Sequence, residues 1–287
     1  MDSGSGSAAA PGNDGAVILA GKDDHYGGFI IDPLGLPAHP PDFLFALQTS
    51  LARWKDQSKR GIWLKVPIDK SILVPLAVKE GFIYHHAEKD YVMLTYWIPE
   101  ESSTLPANAS HQVGVGGIVI NEQNEILAVQ EKLGLMQGTG VWKMPTGVVL
   151  QGEDVCDAVV REVKEETGVD TEFVEVFGFR QSHDAAFGKS DLFFLCKLRP
   201  LSSEIVLQES EIEAAQWMPL EDYKSQDFNS SSTLLSRFTD IATASLEGKY
   251  NGFRAERLKL GFRKKGSLFY HSIHDIQSYL SHLTSKI

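Results

Sequence analysis

Residues 147–169 read GVVLQGEDVCDAVVREVKEETGV, and this stretch says more about fold and chemistry than any other part of the chain. Residues 154–167 have the apolar periodicity of a helix, with four residues on one face: Cys156, Val159, Val160 and Val163. Gly168 follows directly, where a left-handed cap at the helix C-terminus favours glycine. The stretch therefore predicts a loop followed by an amphipathic helix.

Three glutamates share one sector of this predicted helix, because Glu162, Glu165 and Glu166 stand at positions i, i+3 and i+4. Like charges at this spacing repel one another by a few tenths of a kcal/mol, so a cation is needed to offset them. Carboxylate oxygens suit Mg²⁺ or Mn²⁺. Such an ion can hold an anionic diphosphate against the glutamates and lower the pKa of an attacking water. The spacing therefore predicts a metal-dependent phosphate site.

The residues around the glutamates fit the same interpretation. The planar guanidinium of Arg161 can pair with two carboxylate oxygens and fix their conformation. Gly147 and Gly152 lie in the loop before the helix, where close approach of the backbone and unusual dihedral angles are expected. The alternative is a solvated acidic helix face capped by Gly168, and the complete spacing of residues 147–169 argues against it.

Composition limits the classes of function. A chain of 287 residues with 43% hydrophobic and 23% charged residues is expected to form one or two ordinary globular domains. The net charge of −11 argues against nonspecific nucleic-acid binding. No apolar run approaches 18 residues, so no membrane span is expected. Cys156 and Cys196 are predicted to be buried apolar residues, and the first basic residue is Lys22, so we expect no targeting leader and a reducing, cytoplasmic location.

Shifts in composition and pattern divide the chain into five segments. Residues 1–15 are predicted to be a disordered tail and residues 16–98 a small α/β domain. Residues 99–110 contain two prolines and small polar residues, which is typical of a linker. Residues 111–250 are expected to form a second domain, and residues 251–287 a C-terminal extension.

Local patterns predict the elements of both domains. In the first domain they indicate a helix at 43–55, a strand at 61–67, a helix at 72–80 capped by Ser71, and strands at 82–86 and 91–97. In the second they indicate strands at 113–120, 126–130, 141–144, 174–181, 192–198 and 214–218, a helix between the third and fourth, a helix at 231–247 and a strand at 266–271. This order predicts an α+β fold with helices packed on a mixed sheet.

Three glycines, Gly114, Gly116 and Gly117, could suggest a dinucleotide-binding loop. They fall inside a predicted strand with no β-α-β crossover after it. We therefore expect them to permit close packing or close approach of the backbone to a ligand.

The stretch 147–169 fits G-x5-E-x7-R-E-U-x-E-E-x-G-U, with U aliphatic, at every position. The chain thereby resembles the Nudix hydrolases. Further stretches resemble the plant cytosolic members that carry an N-terminal pre-Nudix domain and act on ADP-ribose and NADH: 54–55, 61–63, 81–88, 106–111, 180–183 and 217–219. The resemblance implies the Nudix fold, dependence on Mg²⁺ or Mn²⁺, a small nucleotide substrate and a homodimer.

The resemblance also implies roles for individual residues. Glu162 and Glu166 would be metal ligands, and Glu165 would assist as a ligand or orient the attacking water. Arg161 and Glu153 would brace the loop and the helix. Glu211, which precedes a predicted strand, stands where Nudix folds often supply an additional glutamate, and it would be either a ligand or base, or a surface charge.

Several residues outside the helix are candidates for substrate binding. Trp142 would stack on adenine or form part of the core. His183, Asp184 and Lys189 fall between two predicted strands, in a loop that would reach a substrate or form a solvated turn. Gly147 would let the backbone approach a ligand.

The adjacent histidines His85 and His86 suggest a metal site at first sight. Consecutive residues of a strand point to opposite faces, so we do not expect them to share a metal ion.

Three functional hypotheses remain at this point. The first is hydrolysis of ADP-ribose and NADH. The second keeps the chemistry and changes the substrate to a nucleotide sugar, a dinucleoside polyphosphate or an RNA cap. The third is a regulator that binds a nucleotide without turnover, against which the complete set of glutamates argues.

Overall fold

A computed structural model describes residues 17–134, 136–259, 266–273 and 275–277 of the chain. Two compact units are present, Met1–Ala109 and Ser110–Ile287. The predicted tail, residues 1–15, lies outside the described residues, as does part of the predicted extension at 251–287. In the described ranges, no helix combines the length and the apolar character needed to cross a membrane.

The first unit is built on a five-stranded sheet with the order β1-β2-β3-β5-β4. Its elements are β1 (Gly21–Asp23), β2 (Phe29–Ile31), α1 (Pro40–Asp56), β3 (Gly61–Pro67), a 3-10 helix (Ile68–Leu73), α2 (Val74–Lys79), β4 (Ile83–Glu88) and β5 (Tyr91–Trp97). Helix α1 buries Phe43, Leu47 and Trp54 in a core that also contains Ile62 and Leu64 of β3. The apolar residues whose spacing predicts α1 and β3 are thus the residues that form the buried faces of these elements.

Two expectations for this unit are wrong. Ser71 does not cap a helix, because it lies inside the 3-10 helix and α2 begins only at Val74. His85 and His86 do not point to opposite faces, because β4 has an irregularity in register between Tyr84 and His86. This bulge brings the two rings together, with 2.6 Å between their Nδ1 atoms.

The second unit contains eight strands and four helices in the described residues. They are β6 (His111–Val119), β7 (Glu125–Glu131), β8 (Thr146–Val148), α3 (Val155–Thr167), β9 (Thr171–Ala186), β10 (Lys189–Pro200), β11 (Ile212–Pro219), α4 (Leu220–Ser225), α5 (Asp227–Ser231), α6 (Thr233–Leu246), β12 (Arg254–Leu258) and β13 (Ser267–His271). Helix α6 begins after Ser232, whose hydroxyl accepts a hydrogen bond from the Leu235 N–H.

The central sheet of this unit is mixed, as predicted, with the order β8-β6-β10-β9. Strands β6 and β10 are parallel, whereas β8 pairs with β6 and β9 with β10 in the antiparallel sense. Strands β7 and β11 form a separate antiparallel pair, as do β12 and β13. This is the α+β arrangement of sheets and helices that the sequence predicts.

Side chains on the two faces of strand β6 pack in two different apolar clusters. Val115 and Val119 pack with Val159 and Val163 of helix α3. Ile118 points to the opposite face and packs in a cluster with Met144, Phe177 and Ala242. Helix α3 therefore covers one face of the sheet. A Cβ atom on Gly117 would lie 2.8 Å from Val163 and one on Gly116 would lie 2.5 Å from the Phe193 ring, which confirms the expected close packing.

The structure corrects two further predictions. Residues 141–144 do not form a strand, since a single bridge between Lys143 and Val129 holds this segment. Cys196 is buried as expected, but Cys156 is only partly buried because it lies at the edge of the apolar face of α3.

Candidate active site

Helix α3 fixes the direction in which its glutamates point. Val159 and Val163 anchor it on the sheet, and Gly168 ends it with a φ of 72°, a left-handed conformation that favours glycine. The Gly168 N–H donates to the Lys164 carbonyl over 2.9 Å. The helix boundaries and its cap therefore agree with the sequence prediction.

Arg161 links the loop before the helix to the helix itself. Its Nε and Nη2 atoms contact the two carboxylate oxygens of Glu153 at 2.7 and 2.8 Å. Its Nη1 donates to Glu162 over 2.7 Å and to Glu165 over 3.1 Å, and Nη2 also donates to the Val148 carbonyl. Hydrogen bonding to Arg161 holds the pKa of Glu153 below its ordinary value. One guanidinium thus orients three carboxylates, which confirms the pairing predicted for this arginine.

Glu162 is pressed against the backbone of strand β8. Its Oε1 accepts a hydrogen bond from the Val148 N–H over 3.2 Å. A Cβ atom on Gly147 would lie 1.8 Å from the Glu162 Cδ and 2.2 Å from both carboxylate oxygens. The glycine is therefore required here by the proximity of a carboxylate.

Glu166 is the most buried of the three glutamates, with 6% of its surface exposed. Its Oε2 is buried and has no hydrogen-bond partner among the described residues. Burial raises the pKa of Glu166 to about 8, in spite of the opposing effects of the nearby Lys143 ammonium and a backbone hydrogen bond at Thr146. A buried carboxylate with a free acceptor is costly unless a cation binds it.

Lys143 is a member of the site that the sequence does not reveal. Its ammonium contacts the carboxylate of Glu131 at the end of β7 and donates to the Thr146 hydroxyl over 2.8 Å. It also lowers the pKa of Glu166 electrostatically. Lys143 stands two residues before Pro145 at the entry to the motif, and this position is the one signal that could have indicated its role. A single lysine in a predicted strand does not indicate a functional site.

The residues of the site fit a divalent cation by their chemistry. Glu162, Glu165 and Glu166 offer carboxylate oxygens from one helix. The Oε2 of Glu166, which has no partner in the part of the chain that the structure describes, is the acceptor that such an ion would bind. In the described part of the chain, no group of three or more His, Cys, Asp or Glu side chains converges as a preformed ligand set. Arg161 holds the carboxylates of Glu162 and Glu165 instead, so an ion would have to exchange with these hydrogen bonds.

Glu211 lies in the turn before β11, as predicted, and is exposed. Its carbonyl accepts from the Lys132 N–H over 2.8 Å, and its own N–H donates to the Gln208 carbonyl. The Gln208 N–H in turn contacts the Glu166 carbonyl at 3.4 Å. The turn that carries Glu211 therefore passes the C-terminal end of α3, and a ligand role for its carboxylate stays a prediction.

The loop predicted around His183, Asp184 and Lys189 does not exist, because strands β9 and β10 extend through these residues. Only Phe187 and Gly188 form the turn, with φ values of 49° and 72°. Positive φ at two successive residues is typical of a tight hairpin turn. Because phenylalanine is uncommon at positive φ, the sequence does not predict a turn at Phe187. The His183 Nδ1 lies 2.9 Å from the Ser190 hydroxyl.

This hairpin nevertheless lies on the sheet that carries the motif. Ser190 pairs with His111 of β6, whereas Gly114 of the same strand pairs with Val148 beside the motif. Three residues of strand separate the two positions, or about 10 Å. A role for His183 or Lys189 in substrate binding stays a prediction.

Trp142 is placed largely in the core. Its ring is partly buried against the cluster that contains Met144 and Phe177. Its backbone N–H donates to the Gln226 side chain over 2.9 Å, and the amide of Gln226 donates back to the Trp142 carbonyl. These contacts support the core interpretation, and the stacking role stays a prediction.

Comparison with known proteins identifies relatives of both compact units. Residues 19–98 match the family model of the Nudix hydrolase domain, and residues 110–238 match that of the NUDIX domain. Nudix hydrolase 2 of Arabidopsis thaliana is 54% identical over 259 residues, covering 90% of this chain and 92% of that protein. Human nucleoside diphosphate-linked moiety X motif 6 is 40% identical, covering 72% of this chain and 67% of the human protein. The MutT structure from Methanosarcina mazei is 22% identical with a TM-score of 0.38, covering 50% of this chain and 100% of that one.

The family matches support a pyrophosphohydrolase, and the chemistry of a helix with three glutamates beside an arginine-braced loop is compatible with that class. The chain belongs to the Nudix hydrolase family, and its catalytic unit has the mixed α+β fold of that family. Nudix hydrolases use divalent metal ions and act on small nucleotide substrates.

The arrangement around Arg161 makes a direct prediction for Arg161→Lys. A lysine keeps the charge but loses the paired contacts to Glu153 and the contact to Glu162, so we expect a loss of about 2 kcal/mol in unfolding free energy. Turnover should fall roughly 10- to 100-fold, because residues that orient ligands have effects of this size. Thermal melting and steady-state kinetics measure the two effects.

Arg199→Lys is the matched control, since Arg199 pairs with Glu172 on an exposed strand surface. It should melt and turn over like the wild type. Equal behaviour of the two variants would contradict the bracing role of Arg161.

Proposed function

We propose that this protein hydrolyses the diphosphate bond of ADP-ribose, giving AMP and ribose 5-phosphate, and of NADH, giving AMP and reduced nicotinamide mononucleotide. The reaction class rests above all on Glu166, which lies one helical turn from Glu162 and has a buried carboxylate oxygen without a partner among the described residues. The choice of substrates rests on the resemblance to the plant cytosolic subgroup. We also propose a cytoplasmic homodimer.

Four carboxylates have proposed roles. The ligands of Mg²⁺ or Mn²⁺ would be Glu162, Glu165 and Glu166, with Glu211 as a further ligand. When bound, the ion neutralises the charge of the diphosphate and lowers the pKa of the attacking water. Glu165 is about half exposed, at 49% of its side chain, so its carboxylate can reach a solvent water and take its proton. Water adds to one phosphorus as the bridging P–O bond breaks, and each product leaves as a monophosphate.

The remaining residues would position these groups and the substrate. Arg161 keeps Glu162 and Glu165 oriented through its hydrogen bonds. Trp142, His183, Lys189 and the backbone at Gly147 are the proposed contacts to substrate.

We further propose the division of the chain into a pre-Nudix domain at 16–98, a linker at 99–110, a Nudix domain at 111–250 and a C-terminal extension at 251–287. In this division the pre-Nudix domain serves assembly or binding. The chemical step belongs to the Nudix domain, since the motif and Glu211 lie in the second compact unit.

A substrate panel tests the proposal. The full chain with Mg²⁺ is incubated with ADP-ribose, NADH, a nucleotide sugar, a dinucleoside polyphosphate and capped RNA, and the products are separated and quantified. ADP-ribose and NADH should give AMP with the largest kcat/KM. Faster cleavage of another member would assign a different substrate, and binding without any cleavage would favour the regulator.

Removal of divalent ions should abolish hydrolysis. All the proposed ligands are oxygens and the substrate is a diphosphate, so EDTA should reduce turnover to background and added Mg²⁺ or Mn²⁺ should restore it. The measurement is AMP release before and after exhaustive chelation. Full activity in EDTA would refute the metal-dependent mechanism.

A further inference from the structure

The first unit has an open cavity of about 450 Å³ that is lined by none of the residues proposed for hydrolysis. It lies beside β3 and β5, and residues of the segment after β5 form part of its wall. All of its lining residues belong to the unit Met1–Ala109, and they include Asp24, Tyr26, Arg60, Trp63, Trp97 and Leu105. Its volume is within the range of pockets that bind small molecules, roughly 300–1,000 Å³.

Two of the aromatic walls are held in fixed orientations. The Trp97 indole donates its N–H to the Glu101 carbonyl over 2.8 Å, and the Arg60 guanidinium lies over its ring at 4.9 Å. Trp63 meets the ring of His85 edge-on, with 5.1 Å between centroids. Tyr26, in contrast, is 82% exposed at the rim. Rigid aromatic faces with an exposed aromatic at the entrance favour a flat ring as the occupant.

Asp24 adds a hydrogen-bond acceptor to the wall. Its Oδ1 accepts from the N–H groups of Tyr26 and Gly28, both over 2.7 Å. A Cβ atom on Gly28 would lie 2.4 Å from Asp24 Oδ2, so a larger residue at position 28 would obstruct this second oxygen. An occupant with an N–H group can therefore donate to the carboxylate.

The charges of the wall argue against a phosphate or a cation as the main recognised group. Arg60 is already paired with Glu101 at 3.6 Å and contacts the Thr104 hydroxyl, and Asp24 adds a negative charge. No excess positive charge is therefore present in this wall for a phosphate. The guanidinium over Trp97 would also repel a second cation stacked on that ring.

We propose that this cavity binds the base of a purine nucleoside with an amino group, stacked on the tryptophans and donating to Asp24. The site is additional to the glutamate site on helix α3 and requires no metal ion. Base stacking on an aromatic side chain is the general means by which proteins bind nucleobases, and a single stacking residue contributes enough to be measured by substitution.

The test measures the binding of adenosine to the full chain in EDTA, by calorimetry and by quenching of tryptophan fluorescence. Wild type should bind adenosine, and Trp63→Leu should bind it roughly 5- to 100-fold more weakly. Tyr26→Ala should also weaken binding, whereas the matched change Tyr84→Ala, at an exposed tyrosine of β4 outside the cavity, should not. Glu166→Gln should bind like wild type.

Asp24→Asn gives the sharpest outcome. The asparagine oxygen can retain the two backbone hydrogen bonds, which places an amide donor where Oδ2 stood. The affinity for adenosine, which offers an amino group, should fall. The affinity for inosine, which offers a carbonyl, should rise relative to the affinity for adenosine. Circular dichroism checks that each variant is folded.

Three results would overturn the proposal. They are absence of adenosine binding to wild type at millimolar concentration, equal binding by wild type and the Trp63→Leu and Tyr26→Ala variants, and loss of binding in Glu166→Gln alone. Tighter binding of tetramethylammonium than of adenosine would show instead that the aromatic walls recognise a cation.

Discussion

Glu166→Gln is expected to lower turnover by roughly 10²-fold or more while it raises the thermal stability of the metal-free protein. The loss of turnover follows because a metal ligand acts mainly in the transition state. The gain in stability appears as the pH rises through 8, because glutamine stays neutral whereas the Glu166 carboxyl then becomes a buried charge with no partner for its Oε2 among the described residues. A residue with only a structural role would change both quantities in the same direction.

The pH dependence of stability separates these effects. The pKa of Glu166 is raised to about 8, above its ordinary value of 4.5, so the folded metal-free state binds more protons than the unfolded state between these values. The stabilising contribution of the protonated carboxyl is complete below pH 4.5 and is lost as the pH rises through 8, on the order of a few kcal/mol. Wild type should therefore lose stability over this window, and Glu166→Gln should lose less.

Melting in EDTA from pH 5 to 9 and kinetics at saturating Mg²⁺ measure the two predictions. Wild-type turnover of Glu166→Gln would remove Glu166 from the ligand set. Parallel stability profiles for the two proteins would show that the buried carboxyl does not titrate in this window.

Gly147→Ala is expected to reduce turnover by a similar factor with little effect on folding. The added methyl would lie 1.8 Å from the Glu162 Cδ, so one of the two groups must move. The nearest atoms belong to the end of a flexible side chain, so Glu162 yields while the strand stays in place. A displacement of about 1 Å at a catalytic group costs roughly 10²-fold in rate.

Gly178→Ala is the matched control. Gly178 is also in a strand of the second unit, and a Cβ atom there would meet nothing within 4 Å. It should leave turnover and melting temperature unchanged. If Gly147→Ala kept wild-type kcat, the position of Glu162 in the metal-free structure would be irrelevant to catalysis.

The sequence predicts the part of the site that depends on local periodicity. Positions i, i+3 and i+4 place Glu162, Glu165 and Glu166 on one side of helix α3, whatever the rest of the fold does. The same argument finds Arg161 beside them and Gly168 at the end of the helix. These features follow from backbone geometry over one or two turns.

The differences among the three carboxylates could not be predicted in this way. Glu166 is buried and Glu165 is half exposed, because β8 and the segment around Lys143 cover one side of the helix. That segment contacts β7 through a single bridge, which leaves no periodic signal in the sequence. The electrostatic environment of the site is therefore a product of tertiary packing.

The histidine pair shows the limit of periodicity in strands. Strict alternation places His85 and His86 on opposite faces, yet one irregularity in β4 brings their rings into contact. A bulge depends on the register of the partner strand, which a single-strand pattern does not contain. Short strands such as β1 and β2, at three residues each, were missed because three residues are too few to establish alternation.

The parallel pairing of β6 with β10 has a consequence for how the protein is made. Helix α3 is synthesised after β6 but before β10, whose Leu198 helps to form the surface beneath the helix. At about 5–20 residues per second, the ribosome needs several seconds to add the residues that separate the motif from the end of β10. Because β9 and β10 follow the helix in the chain, the glutamate helix emerges when only β6 and β8 of its sheet have been synthesised. Its catalytic geometry is therefore assembled late in folding, when the chain has extended past residue 200.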